Sequence, residues 1–537
     1  MARAISRLAV AVILSVLAAG SPHLLPTARA VPSPRTLAPS QPSAADHRSA
    51  APNTLQAAGV VDGTQSSARS EFATLSHPAR ALASDPPAAG ALREIDDAYP
   101  LHGLAIAALA QVFAEPAEHA AVSGYLRRGG RLRARPAASG NGCATRWYAV
   151  LGGGFVCAGR SFLIGEEPPQ FEPLPEPPAL FDALPYRYAK TTAAQTPLYL
   201  RVPTDVERRE TAQLIASGRA FSVPQPKANT RPARTRSARQ RIAKANVTTR
   251  SAPVPGWPDV VRMVLRRGYY VSVDATTAAT PSANATPAAA MLRTVRGDWL
   301  TADSQTFVTA SRLQGTHVDP ARGQLALVAR ASTPAFRRDA ISGALTRTGA
   351  LRLMQAVYLS EERVVYRGRS YRLADDGQIV SEDALRPIPH TPRPPFVPRG
   401  SRYIAVQLST QTLVAYDGER PVYATLVSTG KPEHATPTGI FRIQHKHVAT
   451  TMDGEVGSDD AYSIEDVPWT MYFSGSLALH GAFWHEHFGR PHSHGCINLA
   501  PLDARWLFEW AGPNLPVGFH GVMASDDNPG TFVVITP

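Results

Sequence analysis

Apolar and polar residues alternate along much of the chain with the period of two that is typical of β-strands. The clearest examples lie after residue 400, in segments 402–408, 412–416, 421–428, 436–443 and 469–473. Residues 503–510 instead have a helical period, and Asp503 stands where it can cap or complement the helix N-terminus. The pattern predicts a meander of β-hairpins with one helix packed on the sheet.

The chain before residue 400 alternates less regularly. Residues 101–113 are predicted to form a helix, and residues 125–157 to form short strands. Further strands are expected at 197–202, 269–273 and 306–308. The predicted fold class is therefore mainly β, with a small β-rich domain at 93–175 and a β-rich accessory domain at 180–385.

Three segments lack a pattern that builds a core. Residues 31–92 are rich in Ala, Pro and Ser, which predicts a disordered linker. Residues 226–254 contain Lys and Arg but no acidic residue, so this basic segment is predicted to be disordered and to interrupt the accessory domain. Residues 386–399 are Pro-rich and are expected to be an extended linker before a C-terminal domain at 400–537.

The N-terminus has the layout of a secretory signal peptide at residues 1–30. Arg3 and Arg7 precede an apolar run at 8–20, and the small-residue site Ala28-Arg29-Ala30 follows. The apolar run is shorter than the ~20 residues that a bilayer-spanning helix needs. We expect cleavage before Val31 and export to the periplasm or cell envelope.

If the protein is exported, its cysteines are expected to form disulfides where they can pair, because an oxidising compartment favours these bonds. The chain has Cys143, Cys157 and Cys496. Cys143 and Cys157 flank a predicted hairpin and are expected to pair. Cys496 would then be a free thiol, either reactive or buried and inert.

The net charge of +12 and the pI near 9.8 favour polyanionic partners. Export disfavours nucleic acid, so acidic envelope polymers are the expected counterpart. The glycines at 152–154 lack the Lys and Ser/Thr of a phosphate-binding loop, and no nucleotide site is predicted.

Motifs after residue 400 point to a specific chemistry. His480-Gly481 precedes the run Ser493-His494-Gly495-Cys496-Ile497-Asn498, and Thr436-Pro437-Thr438-Gly439 stands upstream. In this order the motifs resemble those of YkuD-type L,D-transpeptidase catalytic domains. The resemblance covers residues 400–537 and implies a β-sandwich-like domain with one helix.

The resemblance implies roles for the motif residues. Cys496 would be the nucleophile, and His480 the general base and proton donor, oriented by the carbonyl of Gly481. His494 and Ser493 would line the nucleophile's loop. The N–H groups of Gly495 and Cys496 would be candidates for stabilising an oxyanion.

Three further residues are candidates for substrate binding. Asn498 stands where many relatives carry Arg, so a hydrogen-bonding or loop-fixing role is expected in place of a charged contact. Trp469 and Tyr472 either wall the substrate groove or belong to the core, as aromatic residues in strands often do.

The implied reaction is acyl transfer on peptidoglycan, with no cofactor and no metal. Cys496 would attack a tetrapeptide donor stem, and a diaminopimelate-type amine of a second stem would accept the acyl group, giving a 3→3 cross-link. With water as acceptor the enzyme would be an L,D-carboxypeptidase, and the same site could attach a protein to stems or release it. Carbapenems are expected to be covalent inhibitors.

Two rival interpretations come from other residues. His485-Glu486-His487 and His492 are metal-ligand types, but they lack the His-Glu-x-x-His spacing. A non-catalytic wall-binding protein is the second rival. In its favour, a set of residues in the small domain loosely resembles SH3-like wall-binding modules, although such residues are also common in β-turns and cores: Tyr125, Gly129, Trp147, Tyr148 and Gly153.

Overall fold

The computed structural model describes residues 95–219, 256–279, 290–453 and 463–537. The predicted signal peptide (1–30), linker (31–92) and basic segment (226–254) lie outside these residues. Within the described ranges, no helix has the length and apolar character required to cross a bilayer. The described chain is mainly β, as the alternating pattern predicts.

The N-terminal module, residues 101–165, is built from strands only. Their bounds are β1 Leu101–Ala105, β2 Leu109–Phe113, β3 Val122–Arg127, β4 Arg131–Pro136, β5 Trp147–Val150, β6 Phe155–Cys157 and β7 Phe162–Gly165. Cys143 and Cys157 are joined by a disulfide with their Cα atoms 5.7 Å apart. The SH3-like resemblance of this module stays a prediction.

The predicted helix at 101–113 is wrong, because this segment forms strands β1 and β2. Strand β1 pairs with β4 and β7, and β2 pairs with β3. Ala110 and Val112 face the core while their neighbours are half-buried, which is the period of a strand. The helix-favouring Ala and Leu content is overridden by these long-range pairings.

The middle module, residues 187–307, combines strands with one helix that the alternating pattern did not predict. Its strands are β8 Arg187–Thr191, β9 Gln195–Tyr199, β10 Val261–Arg266, β11 Tyr270–Ala279, β12 Met291–Thr294, β13 Trp299–Thr301 and β14 Gln305–Phe307. Helix α1, Asp205–Ala216, begins with a capping box. The Thr204 hydroxyl accepts from Glu207 N–H, and the Glu207 carboxylate accepts from Thr204 N–H.

The third module, residues 324–387, is a separate antiparallel sheet with the strand order β18-β17-β21-β20-β19-β16-β22. The bounds are β16 Gln324–Val328, β17 Thr333–Arg338, β18 Leu345–Leu351, β19 Ala356–Tyr366, β20 Arg369–Ala374, β21 Ile379–Ser381 and β22 Leu385–Pro387. Short strand β15, Thr316–His317, precedes this module and pairs elsewhere.

The C-terminal module, residues 402–536, has two layers of strands around one core. The bounds are β23 Arg402–Gln407, β24 Thr412–Asp417, β25 Arg420–Leu426, β26 Gly439–Arg442, β27 His445–Asp453, β28 Ser463–Ser474, β29 Leu477–Gly481, β30 Ile497–Leu499, β31 Gly521–Met523, β32 Phe532–Thr536 and helix α2 Pro501–Trp510. One sheet has the order β15-β25-β24-β23-β32-β26, and β27–β31 form the other layer. Apolar side chains of both layers and of α2 share the core.

Strands from outside the C-terminal module extend its sheets. Strand β3 pairs with β31, with Tyr125 opposite Gly521, and Tyr270 of β11 lies opposite Ile464 of β28. Strand β15 pairs with β25 at the edge of the other sheet. The modules before residue 400 are therefore hydrogen-bonded through strand edges to the module that carries the His480 and Cys496 motifs.

Asp503 lies in the first turn of α2 but does not cap it. Its buried carboxylate accepts hydrogen bonds from the Tyr423 hydroxyl at 2.6 Å, from the Thr425 hydroxyl, and from Gly315 N–H at 2.8 Å. Burial raises the pKa of Asp503 to about 6, and the hydrogen bonds oppose that rise. The carboxyl group thereby fastens the segment before β15 to the core.

This raised pKa predicts a pH-dependent stability. Because Asp503 binds its proton more tightly when folded than when unfolded, its contribution is fully present below about pH 4 and is lost as the pH rises through about 6. The melting temperature of the wild type minus that of Asp503→Asn should therefore fall between about pH 4 and pH 7. A difference that grows with pH over this window would contradict the assignment.

Candidate active site

The motif residues meet where two neighbouring strands run in parallel. Strands β29 and β30 pair with His480 opposite Asn498. Cys496 directly precedes β30, whose first residue Ile497 lies opposite Leu479, so the pairing brings the backbone of Cys496 next to the strand that carries His480. The loop between the strands, residues 482–496, carries the rest of the motif.

His480 is buried and held in one tautomer. Its Nδ1–H donates to the Gly481 carbonyl at 3.3 Å, which leaves Nε2 without a proton and able to accept one. The Trp484 ring stacks on it at 5.7 Å. Burial lowers the pKa of His480 to about 4, although the bond to Gly481 acts in the opposite direction. At neutral pH the ring is therefore uncharged.

Cys496 is the free cysteine of the chain and is half-buried. Its Sγ–H donates to the Ser476 carbonyl at 3.7 Å. Burial raises the pKa of Cys496, while a hydrogen bond with the backbone of Ala478 opposes the rise. The raised pKa of the Cys496 thiol and the lowered pKa of His480 both favour the uncharged forms, so the resting site is not a preformed thiolate–imidazolium pair.

The neutral resting thiol predicts the pH profile of Cys496 alkylation. Below the thiol pKa, the rate of Cys496 alkylation by iodoacetamide should rise about tenfold per pH unit from roughly pH 6 to 8, because the thiolate fraction rises by that factor. Intact-mass kinetics on the full chain measure this, with Cys496→Ala as the unlabelled control. A rate that stays flat over this window would indicate a preformed ion pair.

Ser493 shapes the turn that presents the nucleophile. Its buried hydroxyl accepts from Gly495 N–H at 3.1 Å and donates to the Cys496 carbonyl at 2.5 Å. The Gly495 N–H is therefore already occupied, which leaves the Cys496 N–H as the oxyanion donor of this pair. Gly495 has φ +115°, and a Cβ there would lie 3.0 Å from Leu477 Cδ2, so the turn requires glycine.

His494 and Asn498 have different surroundings. The exposed His494 ring lies 4.8 Å from the His434 ring. Asn498 is buried, and its backbone N–H and C=O both pair with Ser428. Its side-chain amide lies 2.9 Å from Nε2 of His485. These are hydrogen-bonding contacts within the site, and a contact of Asn498 with substrate stays a prediction.

The tautomer of His485 sets the orientation of the Asn498 amide. The His487 N–H donates to Nδ1 of His485 at 3.1 Å, so a neutral His485 ring carries its proton on Nε2. Burial lowers the pKa of His485 to about 3, with neighbouring histidines adding to the effect, and the ring is neutral. The Asn498 atom that lies 2.9 Å from Nε2 is the amide nitrogen, so two donors would face each other. Turning the amide by 180° replaces this nitrogen with the amide oxygen, which otherwise has no partner and can accept from Nε2–H.

The two aromatic candidates for the substrate groove, Trp469 and Tyr472, differ in burial. Trp469 is 1% exposed, its indole N–H donates to the Ala183 carbonyl at 2.8 Å, and its ring packs on Phe508. A groove role for Trp469 is therefore wrong, because its side chain belongs to the core. Tyr472 is half-buried and lies opposite Ala478, the residue whose backbone bonds Cys496. Its groove role stays a prediction.

Histidines of the loop crowd together without forming a recognisable metal site. The rings of His485, His487 and His492 have centroids 4.5 to 5.6 Å apart. Among the residues that the structure describes, no group of three or more His, Cys, Asp or Glu side chains has an arrangement that could hold a metal ion.

Segment 428–430 was not identified from the sequence, and it pairs with both ends of the nucleophile's turn. Residues 428–430 form bridges to Asn498 and Ser493. Gln411, a buried residue with φ +55°, holds this segment: its side chain donates to the Thr429 hydroxyl at 2.7 Å and accepts from Thr429 N–H at 2.9 Å. A glutamine in a strand-connecting turn carries no signal of such a role.

Comparison with known proteins places this site in a family. Residues 401–535 match the model of the YkuD family, described as the L,D-transpeptidase catalytic domain. No curated protein was found that matches the chain.

Solved structures of L,D-transpeptidases are similar to part of the chain. One from Enterococcus faecium is 24% identical, with 26% of this chain and 50% of that chain covered and a TM-score of 0.21. One from Mycobacterium smegmatis is 17% identical, with 34% and 90% covered and a TM-score of 0.21. A third, in complex with imipenem, is 18% identical, with 43% and 89% covered and a TM-score of 0.21. The chain thus spans half the length of the Enterococcus faecium protein.

The family model begins one residue after the predicted boundary at 400 and includes His480, the run 493–498 and all but the last residue of the closing strand β32. At its C-terminus, the chain carries an L,D-transpeptidase catalytic domain of the YkuD family.

Proposed function

We propose that the C-terminal domain is a peptidoglycan L,D-transpeptidase that forms 3→3 cross-links through an acyl-enzyme on Cys496. The observation that carries the proposal is that the neighbouring strands β29 and β30 bring together a free, half-buried thiol at the start of β30 and a buried, neutral histidine on β29. The Nε2 of His480 is left free to accept a proton because Nδ1 is bonded to Gly481. This is the arrangement that nucleophilic catalysis by cysteine needs.

The first half-reaction forms the acyl-enzyme. His480 Nε2 takes the proton of the Cys496 thiol as Sγ bonds to the carbonyl carbon of the third residue of a tetrapeptide stem. The carbonyl π electrons move onto oxygen and return as the C–N bond to D-alanine breaks. The departing amine takes the proton from His480, so the ring is neutral again and a thioester remains.

The second half-reaction transfers the acyl group. The side-chain amine of a diaminopimelate-type residue in a neighbouring stem attacks the thioester carbon and passes one proton to His480. The C–S bond breaks, and the proton returns to Sγ, which restores the thiol. An amine acceptor yields the 3→3 cross-link, whereas water would yield a shortened stem.

We also propose that the protein acts outside the cytoplasm, in the periplasm or cell envelope. The Cys143–Cys157 disulfide supports this location, because such bonds persist in oxidising compartments. Contact of the basic segment 226–254 with anionic envelope polymers belongs to the same proposal.

Covalent labelling by imipenem tests the chemistry. Its β-lactam carbonyl offers Cys496 an activated amide, so Sγ should open the ring and the ring nitrogen should take the proton. We expect one adduct per wild-type chain by intact mass and none on Cys496→Ala. Cys143 and Cys157 are held in a disulfide and should stay unlabelled. An unlabelled wild-type chain would refute the proposed mechanism.

A further inference from the structure

The hydroxyl of Thr436 connects two segments of the candidate active site. The mechanism proposed above gives this residue no role. Thr436 is 4% exposed and precedes β26. Its Oγ1 accepts from Gly430 N–H at 2.8 Å and donates to the Gly495 carbonyl at 2.9 Å. One hydroxyl therefore connects the supporting segment 428–430 to the peptide group that precedes Cys496.

This contact fixes the direction of a backbone donor. In a trans peptide, the C=O of Gly495 and the N–H of Cys496 point to opposite sides. Holding the Gly495 carbonyl against Thr436 therefore turns the Cys496 N–H away from Thr436. On the other side of Cys496, the Ser493 hydroxyl donates to the Cys496 carbonyl. Both peptide groups that flank the nucleophile are thus held by buried hydroxyls.

The N–H of Gly495 is not free to stabilise an oxyanion. Gly495 N–H is bonded to the Ser493 hydroxyl at 3.1 Å. Of the two N–H groups expected from sequence to meet an oxyanion, the Cys496 N–H is the one left, and its direction depends on the Gly495 peptide. A hydroxyl that sets this peptide plane therefore bears on catalysis without touching the substrate.

We propose that Thr436 is a positioning residue for acyl transfer, whose hydroxyl orients the Gly495–Cys496 peptide so that the Cys496 N–H meets the developing oxyanion. The inference rests on the proposed function and deepens it. As Sγ bonds to the carbonyl carbon, the π electrons move onto oxygen, and the N–H stabilises that charge. When the electrons return, the C–N bond breaks and the nitrogen leaves with the proton from His480.

Two electrophiles separate this role from a structural one. Imipenem reacts through an oxyanion, whereas iodoacetamide alkylates Sγ by displacing iodide at a saturated carbon and forms none. Thr436→Val keeps the shape and removes the hydroxyl. We expect imipenem acylation of Cys496 to slow by ~10–100-fold, while the iodoacetamide rate stays within about twofold. Thr436→Ser should restore most of the imipenem rate.

A matched control is available in the same domain. The hydroxyl of Thr531 is also buried and accepts from Gly512 N–H at 2.8 Å, far along the chain from the loop. Thr531→Val should leave both rates unchanged. Thr436→Ala, which also lacks the hydroxyl, should show the same selective loss as Thr436→Val and guards against a poorly folded valine variant.

Each remaining outcome overturns the inference. A parallel loss of both rates in Thr436→Val and Thr436→Ala would mean that the hydroxyl only maintains the loop. An unchanged imipenem rate would mean that the Cys496 N–H does not depend on it. If wild type reacts with iodoacetamide but not with imipenem, the proposed function itself fails and this inference falls with it.

Discussion

Replacing His480 by Gln is expected to slow imipenem acylation of Cys496 by about 10²–10⁴-fold, the range that a positioned general base contributes. The resting thiol is neutral because burial raises its pKa, so attack requires that its proton be removed as the C–S bond forms. The free Nε2 of His480 is the acceptor that the structure provides. Stopped-flow or quenched mass spectrometry at neutral pH measures the acylation rate.

His520 supplies the matched control for this loss. It is buried to nearly the same extent as His480, and its Nε2–H also donates to a backbone carbonyl, that of Ala449 at 2.8 Å. His520→Gln should lower the melting temperature by a similar amount but leave the acylation rate near that of the wild type. If the two variants lost the same share of activity, the effect of His480 would be one of stability and not of proton transfer.

Replacing Asp466 by Ala is expected to cost about 3–5 kcal/mol of the free energy of unfolding, as the loss of one partner of a buried ion pair does. Asp466 of β28 is fully buried and accepts from Arg127 of β3, Arg296 of the middle module and Ser272 of β11. Burial alone would raise the pKa of Asp466, but the two guanidinium groups bring it well below its usual range. Removing the carboxylate leaves a largely buried Arg127 without its partner.

An exposed ion pair gives the comparison for Asp466. Arg330 and Asp383 lie 2.7 Å apart with side chains that are 52% and 61% exposed. Asp383→Ala should therefore cost less than about 1 kcal/mol. Hydrogen exchange should also rise in β3 and β28 of Asp466→Ala, because Asp466 connects these strands. Equal costs for the two substitutions, without faster exchange, would show that Asp466 does not hold the modules together.

Much of the C-terminal domain was predictable because its signals are local. Regular alternation marks the strands after residue 400, and α2 begins two residues before the predicted start, at Pro501. The run from Ser493 to Asn498 is contiguous, whereas His480 reaches it through the pairing of β29 with β30. The mainly β class and the YkuD family were predicted correctly on these grounds.

Other features depend on contacts between distant segments, which alternation does not encode. Residues 101–113 form strands because β3, β4 and β7 pair with them, against their helix-favouring composition. Helix α1 did carry a local signal, the capping box from Thr204 to Glu207, which hydrophobic period alone overlooked. The burial of Trp469 depends on Phe508 and the Ala183 carbonyl, both remote in sequence.

The most direct test of the central claim is mass spectrometry of muropeptides after incubation of peptidoglycan with the full chain and with Cys496→Ala. The proposed function predicts 3→3 cross-linked dimers and released D-alanine with the wild type, and neither product with Cys496→Ala. Shortened stems without dimers would contradict transpeptidation in favour of hydrolysis. Dimers formed equally by Cys496→Ala would contradict the assignment of Cys496 as the nucleophile.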